Sequence, residues 1–107
     1  MRYIIYQIKD IEKTDYSFMN WNTAKSQFKF KDYNKVYYGD CKGKDDKDIL
    51  ENLFEIFNID HPKDFTGHSL SVSDIVILYD DKDYKYYYCD SIGWIDVTKE
   101  IKERDIK

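Results

Sequence analysis

Five consecutive apolar residues, Ile-Val-Ile-Leu-Tyr at positions 75–79, constrain the fold of this chain more than any other feature. Side chains of a β-strand point alternately to its two faces, so a run without polar residues is apolar on both faces. A strand of this kind has to be covered on both sides. We therefore predict that residues 75–79 form a central strand of a sheet inside one domain, for which 107 residues suffice.

Four further segments predict additional strands around this central one. In residues 2–9 the side chains alternate between two faces, and Gln7 falls on the same face as Tyr3 and Ile5. The polar segment at residues 80–83 predicts a turn that joins the third and fourth strands as a hairpin. The predicted strands span residues 2–9, 34–41, 75–79, 84–89 and 94–97.

Two amphipathic helices are predicted between these strands. Asn20 would cap a short helix over residues 21–28, because its side-chain oxygen can accept a hydrogen bond from the first turn. Asp45 or Asp46 would cap a longer helix that ends near Asn58, before a proline that cannot continue it. The apolar stripe of the longer helix comprises Ile49, Leu53, Ile56 and Phe57, widened by Leu50 and Phe54.

The predicted element order, β-α-β-α-β-β-β, corresponds to an α+β fold. Its sheet would be mixed or antiparallel, with about five strands and with two helices packed against it. Residues 2–97 would form the single domain. Residues 98–107 would be a charged C-terminal tail, either a frayed helix or disordered.

The net charge of −4, from 21 acidic and 17 basic residues, argues against direct binding of nucleic acid, which needs a basic surface. The chain contains no apolar run long enough for a signal peptide or a membrane span. Its two cysteines, Cys41 and Cys89, are far apart and predict free thiols. We therefore expect a cytoplasmic protein without a membrane partner.

The segment Gly-His-Ser-Leu-Ser-Val-Ser-Asp at residues 67–74 admits two interpretations. In an enzyme, His68 would act as a general base towards a neighbouring serine hydroxyl, oriented by Asp74 or Asp90, although no GxSxG elbow is present. In a structural loop, the serines and Asp74 would instead accept from backbone amides, Leu70 and Val72 would anchor the core, and Gly67 would supply a positive φ. We favour the structural interpretation. The serines concerned are Ser69, Ser71 and Ser73.

Metal sites and phosphate mimicry are weaker alternatives. A zinc site would have to combine Cys41 and Cys89 with His61 and His68, whose spacing matches no common ligand pattern. The aspartates of residues 80–83 lack the glycine and glutamate of a calcium loop. Aspartate clusters at residues 45–48 and 80–83 resemble a row of phosphates, but lysines interrupt both. We predict no cofactor.

Three segments of the chain resemble the YodL-like domain family. They are YIIYQIKD with DYSFM at residues 3–10 and 15–19, FEIFNIDHPKDFTGHSLSVSDIV at residues 54–76, and YYCDSIGW at residues 87–94. The resemblance covers roughly residues 2–97. The chain departs from the family pattern at Cys89, Ile92 and Trp94, where other apolar residues are usual, and we expect these changes to alter a surface used for binding.

The resemblance implies an accessory module of Gram-positive bacteria and of their phages, plasmids and conjugative elements, with no catalytic residues to carry over. The acidity, the aromatic richness and the absence of a catalytic set lead us to expect a non-enzymatic protein-binding module. The mobile-element setting adds, within that class, a counter-defence inhibitor of a host nuclease, such as an anti-CRISPR protein. The alternatives are a small enzyme using His68 and a structural domain of larger mobile-element proteins. Candidate binding or motif residues are His61, Phe65, Gly67, His68, Ser69, Ser71, Ser73, Asp74, Asp90 and Trp94.

Overall fold

A five-stranded antiparallel sheet lies at the centre of the protein, in a computed structural model that describes residues 1–104. Its strands lie side by side in the order β2-β1-β3-β4-β5, and each neighbouring pair is antiparallel. The predicted α+β class and the five strands are confirmed, and the sheet is antiparallel rather than mixed. The strands are β1 (Arg2–Ile8), β2 (Tyr33–Asp40), β3 (Ile75–Tyr79), β4 (Tyr84–Cys89) and β5 (Trp94–Asp96).

Within the described residues three α-helices cover the sheet, together with one 3-10 turn at Phe30–Asp32. Helix α2 packs on one face, and α1 and α3 pack on the other. Among residues 1–104, none of the helices combines the length and apolarity that a bilayer span requires. The helices are α1 (Trp21–Ala24), α2 (Asp46–Ile59) and α3 (Thr98–Arg104).

The apolar strand β3 lies in the middle of the sheet and separates two hydrophobic cores. Val76 packs under α2 in one core, whereas Ile75 packs in the other, against Phe28 and Ile101. The side chains of Ile75 and Val76 are both completely buried. The predicted central strand with cover on both faces is therefore confirmed.

Helix α2 begins where the sequence predicts, but its apolar stripe is narrower. The Asp45 carboxylate accepts a hydrogen bond of 2.9 Å from the Asp48 amide and caps the helix. Phe54 and Ile56 are about 40% exposed, so their predicted place in the core is wrong. They lie on the two flanks of the stripe, where the helix is open to solvent. The buried residues are Ile49, Leu50, Leu53 and Phe57.

Helix α1 is shorter than the predicted range of residues 21–28. Asn20 caps it as expected, by accepting from the Thr23 amide at 2.9 Å, but the helix ends at Ala24. Residues 25–27 are exposed and form turns, and a short helix depends on burial of one of its faces. Phe28 is nevertheless buried, as its predicted position on the inner face requires.

Helix α3 occupies most of the segment that the sequence left as either a frayed helix or disordered. Ile101 is fully buried, and its amide donates to the Val97 carbonyl at 3.0 Å. The Thr98 hydroxyl accepts from the Tyr86 amide at 2.9 Å and ties the start of α3 to β4. Residues 105–107 of the predicted tail lie outside the described residues, and the domain boundary at residue 97 stays a prediction.

Truncation of Ile101 tests whether α3 contributes to the stability of the domain. We expect Ile101→Ala to lower the free energy of unfolding by about 2–4 kcal/mol, because the substitution leaves a cavity in a packed core. Urea denaturation monitored by tryptophan fluorescence measures this change. The exposed neighbour Lys102→Ala is the control and should change stability by less than about 0.5 kcal/mol. Equal stability of the two variants would contradict the packing of α3.

Candidate functional site

Asp74 is the last residue of the loop that leads from α2 into β3, and the loop packs around its carboxylate. The residue is only 1% exposed. Its Oδ2 accepts hydrogen bonds from the Ser71 amide at 2.9 Å and from Gln7 Nε2 at 3.0 Å. Burial raises the pKa of Asp74 to about 7, because removal from water disfavours the charged form more than the two hydrogen bonds favour it.

Gln7 is the member of this site that the sequence analysis did not select. It is 3% exposed, and its Nε2 donates both to the His68 carbonyl at 2.9 Å and to Asp74. The signal was present, because Gln7 shares a strand face with the buried Tyr3 and Ile5. A polar residue at a core-facing strand position must find hydrogen-bond partners, and here these partners lie in the loop.

The imidazole of His68 is one-third exposed and borders the Asp74 carboxylate. Its Nδ1 lies 2.7 Å from the Ser69 carbonyl, and a carbonyl can only accept, so Nδ1 carries the hydrogen. The 3.3 Å contact between Nδ1 and Gln7 Nε2 is no competing hydrogen bond, since both Nε2 hydrogens already have partners. The His68 Nε2 atom lies 3.8 Å from Asp74 Oδ1.

The serine hydroxyls hold the loop in place. Ser71 Oγ donates to the Ser69 carbonyl at 2.7 Å, and Ser73 Oγ accepts from the Phe18 amide at 2.9 Å. The Tyr33 hydroxyl donates to the buried Ser73 carbonyl at 2.6 Å. Ser73 and Phe18 both have positive φ, of 81° and 63°, so this hydrogen bond joins two residues in an unfavourable backbone conformation.

Gly67 serves a different purpose from the one predicted. Its φ is not positive, so the expected left-handed conformation is wrong; in this loop that conformation belongs to Ser73. A Cβ atom at Gly67 would instead collide with Gln7 Oε1 and would come within 2.9 Å of the Phe65 ring. Glycine is needed here because the loop backbone passes directly over the Gln7 side chain.

The other candidate residues make contacts of their own around the loop. Asp90 Oδ1 accepts from the Trp21 amide at 2.8 Å, at the start of α1. Phe65 is buried against Phe57 with ring centroids 4.8 Å apart, and His61 packs on the outer side of Phe65. Of the predicted catalytic combination, the Ser71 hydroxyl donates to the Ser69 carbonyl and the Asp90 carboxylate accepts from the Trp21 amide, so the hydrogen bonds of neither group go to His68.

No group of three or more histidine, cysteine, aspartate or glutamate side chains within residues 1–104 is arranged to hold a metal ion. In the acidic turn, Asp80 Oδ1 accepts from the amides of Lys82 and Asp83, both at 2.9 Å. These hydrogen bonds stabilise the hairpin turn that the sequence predicts. Cys41 and Cys89 are both buried free thiols.

A surface groove between α2 and the turn from β4 to β5 contains the remaining candidate, Trp94. The groove has a volume of about 410 Å³. Ile92 projects from the turn and is 90% exposed, while Phe54 contacts Trp94 edge to face with ring centroids 6.5 Å apart. We call it the Trp94 groove; it is lined by Leu50, Tyr87, Ile92, Gly93 and Trp94 together with the charged Asp46, Lys47 and Glu51.

Comparison with known proteins supports the resemblance noted from the sequence. Residues 2–100 match the family model described as the YodL-like domain. A curated relative, the uncharacterized protein YodL of Bacillus subtilis (strain 168), is 27% identical over 74 residues, which is 66% of this chain and 71% of that protein. No solved structure matches this chain.

Replacement of Asp74 by asparagine tests the protonation of the buried carboxyl group. The pKa of Asp74 is higher in the folded state than in the unfolded chain, so folding is favoured while the group is protonated. We therefore expect the free energy of unfolding of the wild type, relative to that of Asp74→Asn, to decrease as the pH rises from about 4 to about 7. The decrease should reach up to about 4 kcal/mol. Urea denaturation at several pH values measures it.

The exposed Asp15→Asn is the control, and its stability relative to the wild type should change little over the same range. A difference between wild type and Asp74→Asn that grows with pH would contradict the expectation. That result would mean that the ionised carboxylate is the form stabilised by folding.

Proposed function

Because this chain belongs to the family of YodL-like domains, we propose that it is a non-enzymatic module that binds another protein through the Trp94 groove. The observation that supports this function best is the 90% exposed side chain of Ile92 beside the aromatic pair of Phe54 and Trp94. Aromatic and aliphatic side chains of this kind are the usual anchors of protein interfaces.

The groove is held in shape before any partner arrives. The Tyr87 hydroxyl in its wall donates to Asp46 Oδ2 at 2.6 Å, and Asp46 is also paired with Lys85 at 3.7 Å. A wall fixed by hydrogen bonds loses little freedom on binding, which favours affinity. Charged residues around an apolar centre also match the usual anatomy of an interface.

A non-enzymatic role is further supported by the loop at residues 67–74. Its hydroxyl and carboxylate groups are engaged in folding, and His68 Nε2 faces Asp74 rather than a serine. The second candidate function is a small enzyme in which His68 and Asp74 exchange a proton. The partial exposure of His68 and its 3.8 Å distance from Asp74 favour that alternative.

More specifically, we propose that this protein acts in the cytoplasm, where it binds and inhibits a host defence nuclease. The support is indirect and consists of the small size of the domain, its net charge of −4 and the mobile-element setting that the family resemblance implies. The buried free thiols of Cys41 and Cys89 suit a reducing compartment. A purely structural accessory domain of larger proteins is the third possibility, and it requires no separate binding partner.

Loss of the exposed apolar side chain tests the groove. We expect the wild-type protein to recover a specific partner from a host lysate and Ile92→Asp to recover roughly tenfold less, because a charge replaces an apolar anchor. Affinity capture with quantitative mass spectrometry measures recovery. Tyr38→Asn, which changes an exposed aromatic on β2, is the matched control and should bind normally. Equal recovery by both variants would exclude the Trp94 groove as the binding surface.

The stoichiometry of inhibition separates the inhibitor from the enzyme. If the protein blocks a defence nuclease by binding, inhibition should require about equimolar protein and should be unaffected by His68→Gln. Titration of purified nuclease activity against protein concentration measures the ratio. Inhibition by trace amounts that is lost in His68→Gln would instead support the enzymatic alternative.

A further inference from the structure

A second groove lies on the opposite flank of α2 from the Trp94 groove. It has a volume of about 530 Å³ and runs between the second half of α2 and the end of β2. Two aliphatic side chains lie in it, Ile59 at 79% exposure and Ile56 at 40%. We call this surface the Ile59 groove. It shares no lining residue with the Trp94 groove, so its function does not rest on that proposal.

The charges around the Ile59 groove are mostly negative. Its lining includes the carboxylates of Asp40, Glu55 and Asp60 but a single ammonium group, that of Lys42. A cation that approaches the two isoleucines therefore meets a net negative field. The same field repels phosphates, which excludes nucleic acid and anionic membranes as occupants of this surface.

The end of α2 adds to this negative potential. The helix has 14 residues, and its last turn contains no basic side chain that would offset the negative end of the helix dipole. The C-cap residue Asp60 donates its amide to the Ile56 carbonyl at 3.0 Å and places a carboxylate, not a cation, at the helix end. A basic residue of a partner would supply the missing complement.

We propose that the Ile59 groove binds a short basic segment of a partner protein, in which lysine or arginine stands next to an aliphatic residue. The aliphatic anchor would pack on Ile56 and Ile59. The stem of a lysine or arginine would lie along the same apolar surface while its charged head reaches Glu55 or Asp60. The negative charge and the apolar area of the Ile59 groove together select such a segment. Charge alone would accept any cation, and apolar area alone would accept any apolar segment.

Short synthetic peptides test this proposal directly. A peptide that alternates leucine and lysine should bind, whereas matched peptides that alternate leucine with glutamate, or serine with lysine, should bind about tenfold more weakly or not at all. Nuclear magnetic resonance titration of the nitrogen-15-labelled protein measures affinity and location. Shifts should concentrate at residues 40–42 and 52–60. Shifts elsewhere, or a preference for the glutamate peptide, would overturn the proposal.

Two variants and a matched control make the test specific. The double variant Glu55→Gln with Asp60→Asn keeps side-chain size, and we expect it to bind the leucine–lysine peptide about tenfold more weakly and with less dependence on salt. Ile59→Ser removes the exposed apolar anchor and should weaken binding as well. The control double variant Glu12→Gln with Asp15→Asn removes two exposed charges from a different loop and should bind as the wild type does. Unchanged binding by the first two variants would refute the proposal.

Two further measurements separate this proposal from its alternatives. Ile92→Asp should bind the peptide normally, so failure of the Trp94 groove would not affect the result. Sedimentation should show a monomer both for the wild type and for Ile59→Ser. A dimer that dissociates in Ile59→Ser would mean that a second copy of this chain occupies the groove, and it would overturn the assignment of a basic partner.

Discussion

The hydrogen bonds of the buried Asp74 carboxylate are the interaction on which the arrangement of this domain depends. Through Gln7 they tie the loop to β1, and through the Ser71 amide they close the loop on itself. The backbone of Asp74 continues the same attachment, because its carbonyl accepts from the Cys89 amide at 2.8 Å. One residue thus joins the loop to the strands on both sides of β3, which ties the loop to the middle of the sheet.

This attachment also explains why α2 lies where it does. The loop begins at the end of α2, and Phe65 is buried against Phe57 of that helix just before Gly67 passes over Gln7. Shifting the loop would break the contact between the aromatic rings and would move α2 across the sheet. The polar centre and the apolar contact therefore both hold the loop in place.

The sequence predicts features that depend on local pattern and misses those that depend on distant contacts. The β3 strand and the Asp45 cap follow from periodicity and capping chemistry, and both are confirmed. The conformation of Gly67 does not follow from local pattern, because the need for glycine arises from the side chain of Gln7, which is sixty positions away. The partnership of Gln7 with Asp74 is invisible for the same reason, although an amide on a core-facing strand position was a usable signal. Local pattern also cannot tell which edge of an apolar stripe stays exposed, as Phe54 and Ile56 illustrate.

The division between a fixed polar loop and exposed apolar flanks favours binding over chemistry. A reactive site needs groups that are free to change partners during a reaction, whereas the hydroxyls of Ser71 and Ser73 are engaged with the backbone. Exposed aliphatic residues beside aromatic ones contribute little to folding, and the proposed binding function gives them a role. Ile92 and Trp94, two of the positions where this chain departs from the pattern it resembles, both line the Trp94 groove.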